Sequence, residues 1–234
     1  MRKICAKMVQ KLLTPEQKKS RMNICADILN NIDTDPGLLN KSLTELDVSE
    51  NNIEHLDLTA VEQLQILQCS RNSLTTLTLH GENLISIIAG NNRLKVLNLS
   101  HPPLGLRHMD VSYNALETLP DWLSSCNDLR SLFASNNALI SLPDHMFCNE
   151  MPFLHTLQLA YNQLQYLPSI QRKLPIQELF LQNNSLSNLP ENFFRYVYNI
   201  RVLNLSNNRL CDLPKPEETL QLEKNLIDSE LPHR

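Results

Sequence analysis

His108 and Asp110 stand two residues apart in the segment 106–116. In an extended chain such a pair shares one face, where an imidazole and a carboxylate can hold a metal ion or pass a proton. His155 is a further, isolated imidazole. Nothing joins these groups to a catalytic set. The chain has only 4 glycines and contains no glycine-rich phosphate loop, no HExxH helix and no GxSxG nucleophile turn. An ordinary polar strand surface accounts for His108 and Asp110. We therefore expect no enzyme activity, no metal and no cofactor.

The residues that do recur are asparagines. In 106–116, apolar side chains stand at positions 1, 4, 6 and 11 (Leu106, Met109, Val111, Leu116) with Asn114 at position 9. Matching asparagines are Asn51, Asn72, Asn92, Asn114, Asn137, Asn162, Asn184 and Asn208, at intervals of 21, 20, 22, 23, 25, 22 and 24 residues. Each lies in register with its own apolar set, from Leu43/Leu46/Val48/Ile53 to Ile200/Leu203/Leu205/Leu210. This is the leucine-rich-repeat pattern. It implies an α/β-type repeat solenoid, a leucine-rich-repeat horseshoe with a concave parallel β-sheet. Positions 1, 4 and 6 face the core and positions 3 and 5 face out. The position-9 amide, both donor and acceptor, is expected to turn inwards and form a buried structural ladder from repeat to repeat.

The outward columns are then legible. Position 5 reads Asp47, Gln68, Ile88, Asp110, Phe133, Gln158, Phe180, Asn204, and position 8 includes Tyr113 and Tyr161. Aromatic and apolar groups on an exposed repeat face suit the anchoring of a protein partner. We take Ile88, Asp110, Tyr113, Phe133, Tyr161 and Phe180 as the candidate partner-binding residues. No small-molecule substrate is expected.

The flanking segments differ from the array. Residues 1–21 carry a net charge of +6, which leaves −10 for the rest of a chain whose total is −4. Thr14-Pro15-Glu16-Gln17 reads as a helix start, and Met22, Cys25, Ile28, Leu29 and Ile32 share one helical face, so a short N-terminal helix is expected over 15–32. We divide the chain into a basic helical arm (1–40), eight repeats (41–214) and a degenerate repeat with a tail (215–234). The first three repeats return through Leu56-Asp57-Leu58, Leu77-Thr78-Leu79 and Leu97-Asn98-Leu99, an alternation that predicts short extended pieces. From repeat 4 the return becomes Leu-Pro (Leu119-Pro120, Leu142-Pro143, Leu167-Pro168, Leu189-Pro190, Leu213-Pro214), which predicts turns or 3₁₀ segments packed by Trp122, Phe147, Phe193 and Phe194. The 6 cysteines form no CxxC pairs, and the charged N-terminus lacks an apolar core like that of a signal peptide. A reduced, cytoplasmic protein without a transmembrane segment is the expectation.

Two resemblances are more specific. Ala6-Lys7-Met8-Val9, Leu12-Leu13-Thr14-Pro15-Glu16-Gln17-Lys18, Arg21, Ile24-Cys25 and Leu29 resemble the linker that precedes the catalytic domain of mariner-type transposases. The resemblance supports an alternative function, a nucleic-acid-associated protein of transposon-fusion origin using the basic arm. The arm is short and has no groove-reading module, so a protein partner is preferred to nucleic acid. Leu64-Gln65-Ile66-Leu67-Gln68-Cys69-Ser70-Arg71-Asn72-Ser73-Leu74 and Met109 to Trp122, with the proline-free repeats between them, resemble the repeat region of PH-domain leucine-rich-repeat protein phosphatases. The likeness covers about residues 43–214. In that family the repeats position a serine/threonine phosphatase domain on AGC-type kinases. For this chain the resemblance implies a non-catalytic interaction scaffold in signalling, with such a kinase or another signalling protein as its partner.

Overall fold

The computed structural model describes the backbone of residues 2–5 and, with side chains, residues 43–147 and 151–214. Eight short strands come one from each repeat: β2 (Leu43–Asp47), β4 (Ile66–Gln68), β6 (Ser86–Ile88), β8 (His108–Asp110), β9 (Ser131–Phe133), β10 (Thr156–Gln158), β11 (Glu178–Phe180) and β12 (Val202–Asn204). With β1 (Arg2–Cys5) at its edge they form one parallel sheet in the order β1-β2-β4-β6-β8-β9-β10-β11-β12. Pairing is in register by repeat position: Leu67 meets Ile87, Ile87 meets Met109, and Leu132 meets Leu157. The three-residue pattern half-buried, buried, half-buried recurs on six of these strands because position 4 points into the core and positions 3 and 5 point out. Leu67, Ile87, Met109 and Leu132 are fully enclosed. Burying each such side chain contributes about 1.5–3 kcal/mol, and it does so only against the neighbouring repeats.

The asparagine ladder forms. Asn114 donates through Nδ2 to the Ala89 and Val111 carbonyls at 3.0 Å each, and its Oδ1 accepts the Leu94 N–H at 2.9 Å. One amide thus ties its own bend to the bend before it. The same acceptor role repeats from Asn72 Oδ1 with the Ile53 N–H (3.1 Å) to Asn208 Oδ1 with the Leu186 N–H (3.0 Å). The expectation of a fully buried ladder needs correcting. Only Asn162 and Asn184, at 9% exposure, are buried, and the other six are half-buried. The amides sit at the rim of the bend, where one side of the row meets solvent.

The return side divides as the sequence predicts. β3 (His55–Leu58), β5 (Thr76–Leu79) and β7 (Asn98–Leu99) form a second parallel sheet, with Leu56, Leu58, Leu77 and Leu79 buried by alternation. Gly81 follows β5 at φ +103°, and a Cβ there would lie 1.9 Å from the His101 carbonyl oxygen. Proline then ends the strands. The carbonyls of Pro120, Pro143 and Pro190 accept the N–H three residues on (Leu123, Met146 and Phe193), which opens the 3₁₀ turn Asp121–Ser125 and the helical turn α1 (Phe193–Tyr196). Phe147, Phe193 and Phe194 are buried there and Trp122 is half-buried. These wide residues fill the return side of the later repeats, opposite the long sheet.

The basic arm is not wholly helical: Arg2–Cys5 runs as a strand parallel to β2, extending the sheet at the edge of repeat 1. The helix expected over 15–32 and the segment resembling a transposase linker lie outside the described residues, as does the expected tail 215–234.

Candidate protein-binding face

The outward columns become rows of neighbours in the sheet. Ile88, Asp110, Phe133, Gln158, Phe180 and Asn204 occupy successive strands at the same register. Phe133 and Phe180, half-buried and outside the core cluster, flank Gln158 at roughly 10 Å from each other, two strand spacings. Each is partly covered by its neighbours and partly open on the outward face of the sheet.

The position-8 residues turn the chain out of the strand. All eight (Glu50, Arg71, Asn91, Tyr113, Asn136, Tyr161, Asn183 and Asn207) adopt φ of 55–60°. Four are asparagine, a residue that tolerates the left-handed region. The hint for this bend was that recurrent asparagine, and sequence reasoning passed over it. Glu50 and Arg71 are compensated by an ion pair of 2.8 Å. Tyr113 and Tyr161 have no such partner. Both are bulky, both are strained, and they stand 56% and 54% exposed. Along repeats 4 to 7 the aromatics alternate between the bend and the sheet centre: Tyr113, Phe133, Tyr161, Phe180. The result is a zigzag ridge along the concave face.

The polar groups singled out from sequence do not assemble into a reactive site. His108 Nδ1 lies 2.8 Å from Ser131 Oγ on the next strand. Asp110 Oδ1 accepts the Ser112 N–H at 2.9 Å and so shapes its own turn, as Asp47 does with Ser49 and Asn204 with Ser206. Asp110 thus sits in the outward row as a turn-former. Ile88 is half-buried beside it. Among the described residues no group of three or more His, Cys, Asp or Glu side chains is placed to hold a metal ion. Burial pushes the Cys69 and Cys126 thiols up to about 12, with the nearby Asp47 carboxylate adding to the effect at Cys69. Both are inert core residues.

Stacked strands, an asparagine row and a leucine core repeat every 20 to 25 residues across the described array. The chain carries leucine-rich repeats. Comparison with known families agrees, matching "Leucine Rich repeat" at residues 39–60 and "Leucine Rich Repeat" at 105–126 and 199–217. A Drosophila melanogaster "Protein phosphatase PHLPP-like protein" is 41% identical over 93 residues, covering 38% of this chain and 10% of that protein. The Homo sapiens "Oligodendrocyte-myelin glycoprotein" is 31% identical over 190 residues, covering 78% of this chain and 42% of that protein. This leucine-rich-repeat chain therefore spans less than half the length of either relative. In three dimensions it superposes on the crystal structure of the LRIM1/APL1C complex with a TM-score of 0.66 and 27% identity, over 79% of this chain and 34% of that one. Among the described residues no helix is long and apolar enough to cross a membrane.

Proposed function

We propose that the chain is a non-catalytic protein-binding scaffold of the signalling type, working through the concave face of repeats 4 to 7. One observation carries the reading. Two tyrosines occupy strained left-handed positions where asparagine serves elsewhere, and they alternate with two outward phenylalanines. Rigid aromatics of this kind are the residues that dominate protein interfaces. The partial likeness to the phosphatase-like protein supports a partner of the AGC-kinase class, with the repeats positioning the kinase and the chemistry residing elsewhere. We place the protein in the cytoplasm on the ground that its cysteines form no CxxC pairs and that Cys69 and Cys126 are free thiols in the core.

Deuterium exchange tests the reading. Mixed with a purified AGC-family kinase, the chain should gain protection in peptides spanning 108–113, 131–136, 156–161 and 178–183. Protection confined to the return side, or none at saturating kinase, contradicts it.

A further inference from the structure

Along the flank where the chain enters each concave strand, position 2 reads Arg107, Arg130, His155, Gln177 and Arg201 in repeats 4 to 8. Their backbones are linked rung to rung: the Arg130 N–H donates to the Arg107 carbonyl (2.8 Å), His155 to Arg130 (2.9 Å), Gln177 to His155 (2.8 Å) and Arg201 to Gln177 (2.7 Å). The three arginines are exposed, and none has a carboxylate partner among the described residues. At ~4.8 Å per rung the stripe runs about 19 Å. Apolar groups are interleaved with the charge. Phe153, 43% exposed, lies under the Arg130 guanidinium at 5.7 Å, and Tyr198, 50% exposed, under the Lys173 ammonium at 5.6 Å. Among the described residues of this flank, Asp128 and Glu178 are half-buried, and Glu178 accepts a bond from Thr156 Oγ1 at 3.4 Å.

The placement runs against the bulk charge. The chain totals −4, and residues beyond 21 total −10, yet this flank gathers Arg107, Arg130, Lys173 and Arg201 on one side. Arg107 and Arg130 stand on consecutive rungs with Arg201 three rungs further on, and an anionic occupant relieves the repulsion among them. We infer that this flank is a second docking surface for an acidic protein segment with interspersed apolar side chains. Carboxylates meet the arginine rungs, and the apolar side chains lie against Phe153 and Tyr198. Guanidinium and carboxylate match in a bidentate fork, which favours arginine for this task. The stripe lies beside the concave ridge and does not include it, so one partner can use both or two partners can bind at once.

Fluorescence anisotropy with the full chain tests this. The probe is a fluorescein-labelled peptide of alternating glutamate and leucine, about ten residues long and thus able to span the stripe when extended. Comparison probes are the lysine–leucine and glutamate–serine peptides and a single-stranded oligothymidylate. The glutamate–leucine peptide should bind best, and rising salt should weaken it. Arg107→Glu, Arg130→Glu and Arg201→Glu together should cost at least about tenfold in affinity, equivalent to ~1.4 kcal/mol. The corresponding Arg→Gln set, which adds no negative charge, should cost less. Phe153→Ala should weaken binding severalfold, and Phe133→Ser/Phe180→Ser should leave it unchanged. Binding that survives the Arg→Gln and Arg→Glu sets overturns the inference. So does tighter binding of oligothymidylate or lysine–leucine, or equal binding of glutamate–serine.

Discussion

Replacing Asn162 by alanine tests the ladder where it is most enclosed. Its Oδ1 accepts the Leu139 N–H at 3.0 Å, and its Nδ2 donates to the Ala134 and Leu159 carbonyls at 3.0 Å each. Alanine leaves the Leu139 N–H without an acceptor, while the Ala134 carbonyl keeps Asn137 Nδ2 at 3.2 Å and the Leu159 carbonyl keeps Asn184 Nδ2 at 2.9 Å. An orphaned buried polar group costs about 1–3 kcal/mol, and the stranded Leu139 N–H sets the loss in that range. At about 2–4 °C per kcal/mol for a chain of this size, the melting temperature should fall by roughly 2–12 °C. Asn137 makes the same contacts, to Leu116 N–H and the Val111 and Ala134 carbonyls, but it is half-buried. Water can replace some of its bonds, so Asn137→Ala should cost less. Gln163, exposed beside Asn162, supplies the control, with an expected change within about 0.5 kcal/mol. Urea and thermal unfolding followed by circular dichroism would rank the three. A loss at Asn162 no larger than at Gln163, or smaller than at Asn137, refutes the reasoning.

Tyr161→Asn should raise stability by roughly 0.5–1 kcal/mol, because asparagine accepts the left-handed backbone at less cost, while it weakens partner binding; lower stability measured by urea unfolding would contradict the strain. Gly81→Ala should lower the melting temperature markedly, since its Cβ would strike the His101 carbonyl and the φ of +103° suits glycine alone; a neutral effect would mean that the β5–β7 return is looser than the structure shows. Burial holds the Cys69 and Cys126 thiols up to about 12, so at pH 8 they should stay protonated and resist iodoacetamide until the protein unfolds, whereas exposed Cys211 should react. Peptide mapping by mass spectrometry checks this, and rapid labelling of Cys69 in the folded chain would refute it.

The period-2 and repeat patterns were legible in the sequence because each repeat states its register several times. Leu106, Met109, Val111 and Asn114 each point to the same strand and bend, and a mistake at one is corrected by the others. The same redundancy foretold the return strands at Leu56–Leu58 and Leu77–Leu79 and the proline turns from Pro120 on. Features that depend on neighbouring repeats were harder to see. Burial of the asparagines differs between Asn162 and Asn114 because the rim geometry differs, not the residue type. The strand at Arg2–Cys5 pairs with β2 across some 40 residues, a contact that local pattern cannot encode. The position-5 and position-8 columns were legible as outward residues, but the left-handed backbone under Tyr113 and Tyr161 was not. Nor was the arginine stripe, whose members stand 23 and 71 residues apart in sequence and come onto one flank only through the stacking of repeats.

The central claim is that the concave aromatic ridge holds the partner. Its most direct test is calorimetric affinity for a purified AGC-family kinase, comparing the wild-type chain with Phe133→Ser/Phe180→Ser. Both variant positions face outward, so folding, checked by circular dichroism, should persist. The account predicts that the wild-type chain binds and that the double variant binds at least about tenfold more weakly, as for interface anchors. Equal affinity would contradict the ridge as the binding face, and no binding by the wild-type chain would contradict the kinase as its partner.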